Sequence, residues 1–493
     1  MQSQKTSGVV VAAFPDAVND ALPALLASQR AAFAARGEPS PLSARKADLK
    51  ALLDVLMQRR LELAEAMQLD FGGRAPQESL LELFVVIDDL RHALAHLKGW
   101  IRTRRVAANW QFRPSRARLM PQPLGVIGVI GAYNYPVMTT LSPVVGALAA
   151  GNHVMMKPSS LTPRTSELMR EIVSGIFREN HVAVVTGNSS IAKRFSKLAF
   201  DHLVFTGSTR VGKLVMRDAS ENLVPVTLEL GGKSPAIVGD DFDMKSAAET
   251  IVQSKLMNAG QTCVASDYAL VPEARVSEFL EHAGAAIRRY YPSLVSNPDY
   301  GRVLMRSDWE RLDSWVSEAR EKGALVETFN PANEHCDADN RVFPPTLVSG
   351  CPLETKLGTE EIFGPVLPVI SYRTLDDAIA QVNAGDRPLA LYYFGHRSVD
   401  VDKVLRRTIC GGVSINGCGY HAIQHHLPFG GVGASGIGAY HGQGGFERFS
   451  HIKPVLYMSP LTKAGVLLRP PFGGLAAWVL GFMLHNRPRK ESL

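Results

Sequence analysis

Apolar residues recur at three- and four-residue intervals through the first hundred positions, as in Leu49, Leu52, Leu56 and Leu63. This spacing predicts helices over 16–36, 43–69 and 77–102. Ser43 is positioned to cap the second helix, and Gly72-Gly73 punctuates the gap before the third. NWQFRPSRARLMPQP (109–123) then alternates in character like an exposed hairpin. From Leu124 the pattern changes to short apolar runs, GVIGVIGA, HVMMKPSS, VAVVTG and HLVFTGS, each ending in turn residues and separated by helical stretches. Strand–helix alternation of this kind predicts an α/β fold with a doubly wound parallel sheet. Ligands in such sheets bind beyond the carboxyl ends of the strands, where Asn134, Lys157 and Gly207 fall. A second alternating region runs from about 232 to 409.

Composition narrows the class. At 493 residues the chain calls for two or three domains, and 46% hydrophobic with 20% charged residues is a globular balance. Five cysteines (263, 336, 351, 410 and 418) form no CxxC pair, and MQSQKTSGVV has no basic region followed by an apolar run; both point to a reducing, cytoplasmic setting. The net charge is +6, with arginines grouped at 102, 104 and 105 and at 113, 116 and 118, and RPRK in the tail. No nucleic-acid signature accompanies them, so a solvated surface is expected and no nucleic-acid partner. No Asp, Glu, Lys or Arg occurs between Arg118 and Lys157, a length that would cross a bilayer. Pro136, Pro143, Asn134 and several glycines interrupt it, which favours a buried strand over 126–130, a loop and a core helix. FGGLAAWVLGFML (472–484) is too short to span. It is expected to pack on the protein rather than lie on a membrane surface.

Three places carry chemistry. Cys263 follows a Gly-Gln-Thr turn in GQTCVASDY (260–268), a bend that suits a nucleophile, though buried inert cysteines are common. FTGSTRVGK (205–213) follows a strand and opens a helix whose free N–H groups suit phosphate, but Thr209 breaks the GxGxxG fingerprint. Glu229 lies 22 residues past Gly207, near where a ribose-binding acid would sit; it reads equally as a catalytic or a surface carboxylate. His421 and His425, with His426 adjacent, have metal-ligand spacing. Gly417, Gly419 and Pro428 make that segment a loop, taken as lying near the substrate entrance, and no metal is expected.

The strings GAYNYP, KPSS, FTGSTRVGK, LELGGKSP, GQTCVASDY, EEIFGPVLPV and LPFGGVGASGIGAYHG stand in the order and spacing of the aldehyde dehydrogenase superfamily, over roughly 40–460. The forms GSTRVGK, GQTCVASDY and PFGGVGASGIGAYHG resemble its class 3 branch. LDFGGR, NWQFRP, PQPLGVIGVIGAYNYP and LRPPFG are most similar to bacterial coniferyl aldehyde dehydrogenases. The resemblance implies a Rossmann-type cofactor domain, an α/β catalytic domain and a small β oligomerisation element. The corresponding boundaries are 1–108 (N-terminal helices), 109–123 (oligomerisation hairpin), 124–231 (dinucleotide binding), 232–410 (catalysis), 411–460 (active-site loop and oligomerisation strand) and 461–493 (tail).

It also implies roles. Cys263 is the nucleophile, the Asn134 amide with the Cys263 N–H holds the oxyanion, and Glu229 is the general base for thioester hydrolysis. Lys157 and Ser160 would face the adenosine ribose; Gly207, Ser208, Thr209, Arg210, Val211 and Gly212 the pyrophosphate and adenine; and Glu361 and Phe363 the nicotinamide end. Two departures stand out: Ala132-Tyr133-Asn134 replaces the usual Pro-Trp-Asn, and Ser160 replaces the glutamate that repels a 2′-phosphate. NAD is therefore expected with tolerance of NADP, helped by the cations Lys157 and Arg164. The expected activity is oxidation of an aromatic, coniferaldehyde-like aldehyde by a homodimer. A medium- or long-chain fatty aldehyde dehydrogenase and a silent protein on the same fold are the alternatives.

Overall fold

The computed structural model describes residues 17–462, 470 and 472–485. The N-terminal leader reading and the RPRK group lie outside the described residues. The three expected N-terminal helices are Ala17–Ala34, Leu42–Phe71 and Pro76–Trp100. Leu49, Leu52, Leu56 and Leu63 are all buried against Leu83, Val86 and Leu90 of the third helix. Each contributes about 1.5–3 kcal/mol by leaving water. Gly72 ends the second helix with left-handed backbone, φ 67°. Ser43 is not its cap: the helix begins at Leu42 and Pro41 occupies the capping position, so the serine lies one residue inside.

Three sheets follow. The first runs, in spatial order, Gly436–Ile437, Val226–Glu229, His202–Thr206, Val126–Ile130, His153–Lys157 and Val182–Val184. Only Gly436–Ile437 is antiparallel to its neighbour. The chain enters at Val126–Ile130, adds two strands on one side, then crosses to add two on the other. That reversal opens a crevice beyond the carboxyl ends of the strands. Every residue of Val126–Ile130 and His153–Lys157 is buried, as a sheet covered by helices on both faces requires. The charge-free stretch is thus a core strand, a loop and the helix Pro136–Ala150.

The second sheet is seven-stranded, in the order Leu325–Thr328, Thr346–Ser349, Val366–Tyr372, Tyr268–Pro272, Pro235–Val238, Ala390–Phe394 and Gly412–Ile415. All but the first strand are parallel. The third is small and antiparallel: Arg104–Val106, Arg116–Pro123 and Ser450–Tyr457. The hairpin expected over 109–123 therefore starts earlier, at Arg104, and Trp110–Phe112 forms a 3-10 turn at its tip. Residues 411–460 are shared among all three sheets: Gly412–Ile415 joins the second, Gly436–Ile437 the first and Ser450–Tyr457 the third.

The tail forms the helix Gly474–His485. Phe472, Leu475, Trp478, Phe482 and Leu484 are exposed, so the expected packing of 472–484 on the protein is not what these side chains do; Ala476 alone among the described tail residues is buried. No helix among the described residues is long and apolar enough to cross a membrane.

Candidate active site

Cys263 sits in the loop between the helix Met244–Leu256 and the strand Tyr268–Pro272. Three consecutive residues before it, Asn258, Ala259 and Gly260, hold left-handed backbone with φ of 52°, 52° and 75°. Such strain at non-glycine residues persists only where the surroundings over-determine it. Here they do. Gln261 donates through Nε2 to the carbonyls of Asn258 and Arg302, both at 3.0 Å, and its Oε1 accepts the Leu304 N–H at 2.8 Å. A side chain on Gly260 would stand 2.3 Å from the Gly364 carbonyl oxygen, so the GQTC turn closes directly on EEIFGP. Asp267 reinforces the same contact by accepting the Ile362 N–H at 2.9 Å.

Asn134 approaches this turn from the loop after Val126–Ile130. Its amide donates to the Gln261 carbonyl at 3.0 Å, and its own carbonyl accepts from the Asn258 amide at 2.9 Å. One of the two Asn134 N–H bonds is thereby committed and the second is left to aim elsewhere. Asn134 is buried behind Tyr135 and Thr262, whose hydroxyls pair at 2.9 Å and which form the cavity wall.

Both loops are braced by the helix Pro76–Trp100. The Glu78 carboxylate accepts the Asn258 N–H at 3.0 and 3.1 Å, and Glu82 accepts the Val137 and Met138 N–H groups at 2.7 and 3.0 Å. Arg74 pairs with Glu82 at 2.8 Å, both side chains being fully buried, and its guanidinium lies 4.9 Å from the Tyr135 ring centre. Sequence reasoning missed Arg74, Glu78 and Glu82. The one signal was the presence of Glu78 and Glu82 on the buried face of an amphipathic helix; Arg74, in the loop before it, gave none. Arg74→Met leaves the Glu82 charge buried without its partner, which costs about 3–5 kcal/mol. Denaturant unfolding should register that loss, and an unchanged midpoint would contradict the brace.

Glu229 ends the strand Val226–Glu229 and is 3% exposed. Neither carboxylate oxygen has a hydrogen-bond partner among the described residues. Burial pushes this carboxyl well above the usual carboxylate range, with Arg448 pulling weakly the other way. Burial likewise pushes the Cys263 thiol up to about 12, with Glu361 and Glu229 adding to the shift. Burial thus favours the neutral form of both groups. Cys263 and Glu229 line one cavity of about 220 Å³, whose remaining walls are mainly apolar, among them Val85, Met138, Met257, Tyr420, Ile423 and Phe429.

The strand ends at the sheet reversal carry the second group of residues. Ser208 caps the helix Thr209–Ser220 by accepting the Val211 N–H, Thr209 donates to the Ala434 carbonyl at 3.0 Å, and Arg210 is exposed. The Gly207 N–H donates to the Glu229 carbonyl at 3.0 Å, so the turn that would face phosphate and the buried acid are one hydrogen bond apart. Gly212 packs against Leu230. Lys157 is buried at its strand end, donating to the Pro158 carbonyl at 2.7 Å, and burial lowers its pKa to about 8. Ser160 is exposed at the rim. Glu361 lies against Gly231 so closely that a side chain there would stand 2.0 Å from its carboxylate; burial raises Glu361 to about 8. Phe363, at φ 48°, meets Tyr133 edge to face at 6.1 Å. The set combines a capped helix start, a side-chain-free approach at Gly231 and a carboxyl at its far end. It suits a dinucleotide.

The three C-terminal histidines go separate ways. His421 bonds Ser414 at 2.9 Å, His425 bonds Asp88 at 2.9 Å, and His426 meets His92 and His96. Their loop contributes Tyr420, Ala422 and Ile423 to the cavity wall.

The sequence model of the aldehyde dehydrogenase family matches residues 2–455. A probable coniferyl aldehyde dehydrogenase of Caulobacter vibrioides is 45% identical over 93% of this chain and 96% of its own length. Among solved structures, the substrate-bound AldH of Staphylococcus aureus superposes with a TM-score of 0.87 at 34% identity, covering 93% of this chain and 99% of that one. The betaine aldehyde dehydrogenase of the same organism, in complex with NAD+, gives 0.80 at 26% identity, covering 90% and 88%.

Proposed function

The chain belongs to the aldehyde dehydrogenase family, and we propose that it oxidises an aromatic, coniferaldehyde-like aldehyde to its carboxylic acid with NAD or NADP. The observation that carries this reading is the meeting of Cys263 and Glu229 in one apolar cavity, with the Asn134 amide directly behind its wall.

Cys263 attacks the aldehyde carbon, its thiol proton passing to bulk water as the S–C bond forms. The carbonyl oxygen gathers negative charge, which the second Asn134 N–H and the Cys263 backbone N–H stabilise. Lys157, Ser160, Gly207 to Gly212, Glu361 and Phe363 would hold NAD or NADP, which would supply an oxidised nicotinamide to accept a hydride from the former aldehyde carbon and so leave a thioester on Cys263. Glu229, once ionised, takes a proton from water as the water oxygen adds to the thioester carbon, and returns it to the Cys263 sulfur, which departs as a thiol. The burial that lifts the Glu229 carboxyl makes it a stronger base than a solvated carboxylate, and the absence of competing partners leaves its oxygens available to water.

The aromatic preference is supported by the rings of Tyr420, Phe429 and Tyr440 in the cavity wall and by the Caulobacter relative. Kinetics on coniferaldehyde against a C8–C16 aldehyde series test it: kcat/KM should be highest for coniferaldehyde, and a rise with chain length to a maximum above it would favour the fatty-aldehyde reading. For the cofactor, Ser160 places no carboxylate at the rim, so NAD and NADP should differ by well under a thousandfold in kcat/KM, about 4 kcal/mol. A larger preference for NAD would overturn that point.

Ser450–Tyr457 is an eight-residue strand with one edge unpaired among the described residues, and Leu456 and Tyr457 at its end, with Met458 just beyond, are exposed. Such an edge seeks a partner, and it supports assembly as a homodimer. The five cysteines are all unpaired thiols, which accords with a cytoplasmic setting.

A further inference from the structure

The helix Pro76–Trp100 carries His92 and His96 one turn apart on one face. The loop after the 3-10 turn Tyr420–Ile423 brings His426 against them. The rings of His92 and His96 are 4.2 Å apart between centres. His426 stands edge-on to both, 4.6 Å from His92 and 5.6 Å from His96. One possible ligand atom from each of the three lies within 4.8 Å of the other two. His96 Nδ1 lies 2.8 Å from the His92 carbonyl oxygen. A carbonyl only accepts, so Nδ1 carries the proton and Nε2 presents its lone pair. A hydrogen bond of this kind fixes the tautomer and ring orientation of metal-ligating histidines. The neighbouring His425 bonds Asp88 at 2.9 Å and stacks on His92 at 5.5 Å, which anchors the loop where His426 faces the pair.

We infer that His92, His96 and His426 form a binding site for a first-row divalent cation, zinc foremost, with a fourth position open to water. Three imidazoles select zinc, nickel or copper over calcium and magnesium. Tetrahedral zinc with bonds of about 2.1 Å sets its nitrogens about 3.4 Å apart. The His426 ring is exposed, and its rotation, with a small shift of His92 toward the fixed His96 ring, closes the remaining gap. The cation would tie the helix to the loop whose Tyr420, Ala422 and Ile423 wall the cavity beside Cys263, and so stiffen that wall. The site depends on these three residues alone and not on which aldehyde is oxidised.

Cobalt(II) titration of the full-length chain carrying Cys263→Ala removes the competing thiol from the cavity. The expected result is one equivalent bound, with d–d absorption, no sulfur-to-cobalt charge-transfer band, and displacement by zinc. Adding His96→Gln or His426→Gln should each weaken binding by about tenfold or more, whereas His335→Gln, an exposed histidine elsewhere, should not. Thermal unfolding without metal verifies that the variants fold as their parent does. Absence of stoichiometric binding, or equal affinity in His96→Gln, His426→Gln and their parent, would overturn the site.

Discussion

Cys263→Ala abolishes aldehyde oxidation while dinucleotide binding persists. The loss should be on the order of 10⁴-fold or more in kcat, because no other group in the cavity can carry the acyl chain. Cys418 lines the same cavity, but its Sγ is engaged with Ser266 Oγ at 3.4 Å and its side chain is buried. The fold should survive the change. The bend that presents residue 263 is fixed by Gln261, Asn258 and Gly260, none of which depends on the sulfur. Reduced-cofactor formation and cofactor-induced fluorescence quenching check the two halves separately. Turnover within about tenfold of the parent would exclude Cys263 as nucleophile.

Glu229→Gln is the second large effect. Glutamine keeps the shape of the side chain and removes the proton acceptor, so attack and hydride loss continue while thioester hydrolysis slows by about 10²–10⁴-fold. Steady-state turnover should fall by that amount, and one equivalent of reduced cofactor should still appear in the first turnover. The pH dependence has a definite sign. Burial raises the Glu229 carboxyl, so the neutral acid persists to higher pH than for a solvated glutamate. The base form, and with it hydrolysis, is lost as pH falls through that raised value. In the parent, the hydrolytic rate should therefore climb with pH above the usual carboxylate range, and the glutamine variant should lack that climb.

The sequence carried most of the fold and the identities of the reactive groups. Leucines at 49, 52, 56 and 63 disclosed a buried face because one helix face is apolar throughout. The runs at 126–130 and 153–157 disclosed a covered sheet because every residue in them is buried. The first strand of the hairpin, Arg104–Val106, escaped because it is three residues long and wholly exposed, with no alternation to read. Ser43 misled because a good capping residue two positions too late looks the same in sequence. The tail helix misled because apolar composition does not say what the apolar face will touch.

What stayed hidden is the set of long-range contacts. Glu78 meets Asn258 across 180 positions, and the Asn134 amide meets the Gln261 carbonyl across 127. His426 meets His92 and His96 of a helix more than three hundred residues earlier, a contact that the local spacing of His421, His425 and His426 does not report. Local pattern reports which face is apolar; only the folded topology decides which loops meet.

The most direct test of the acyl-enzyme account is the intact mass of the Glu229→Gln variant, quenched in acid after one turnover with coniferaldehyde and NAD. The account predicts a mass increase of one acyl group, mapping to the peptide that contains Cys263 and absent when NAD is omitted. An unmodified protein that turns over at the parent's rate would contradict it.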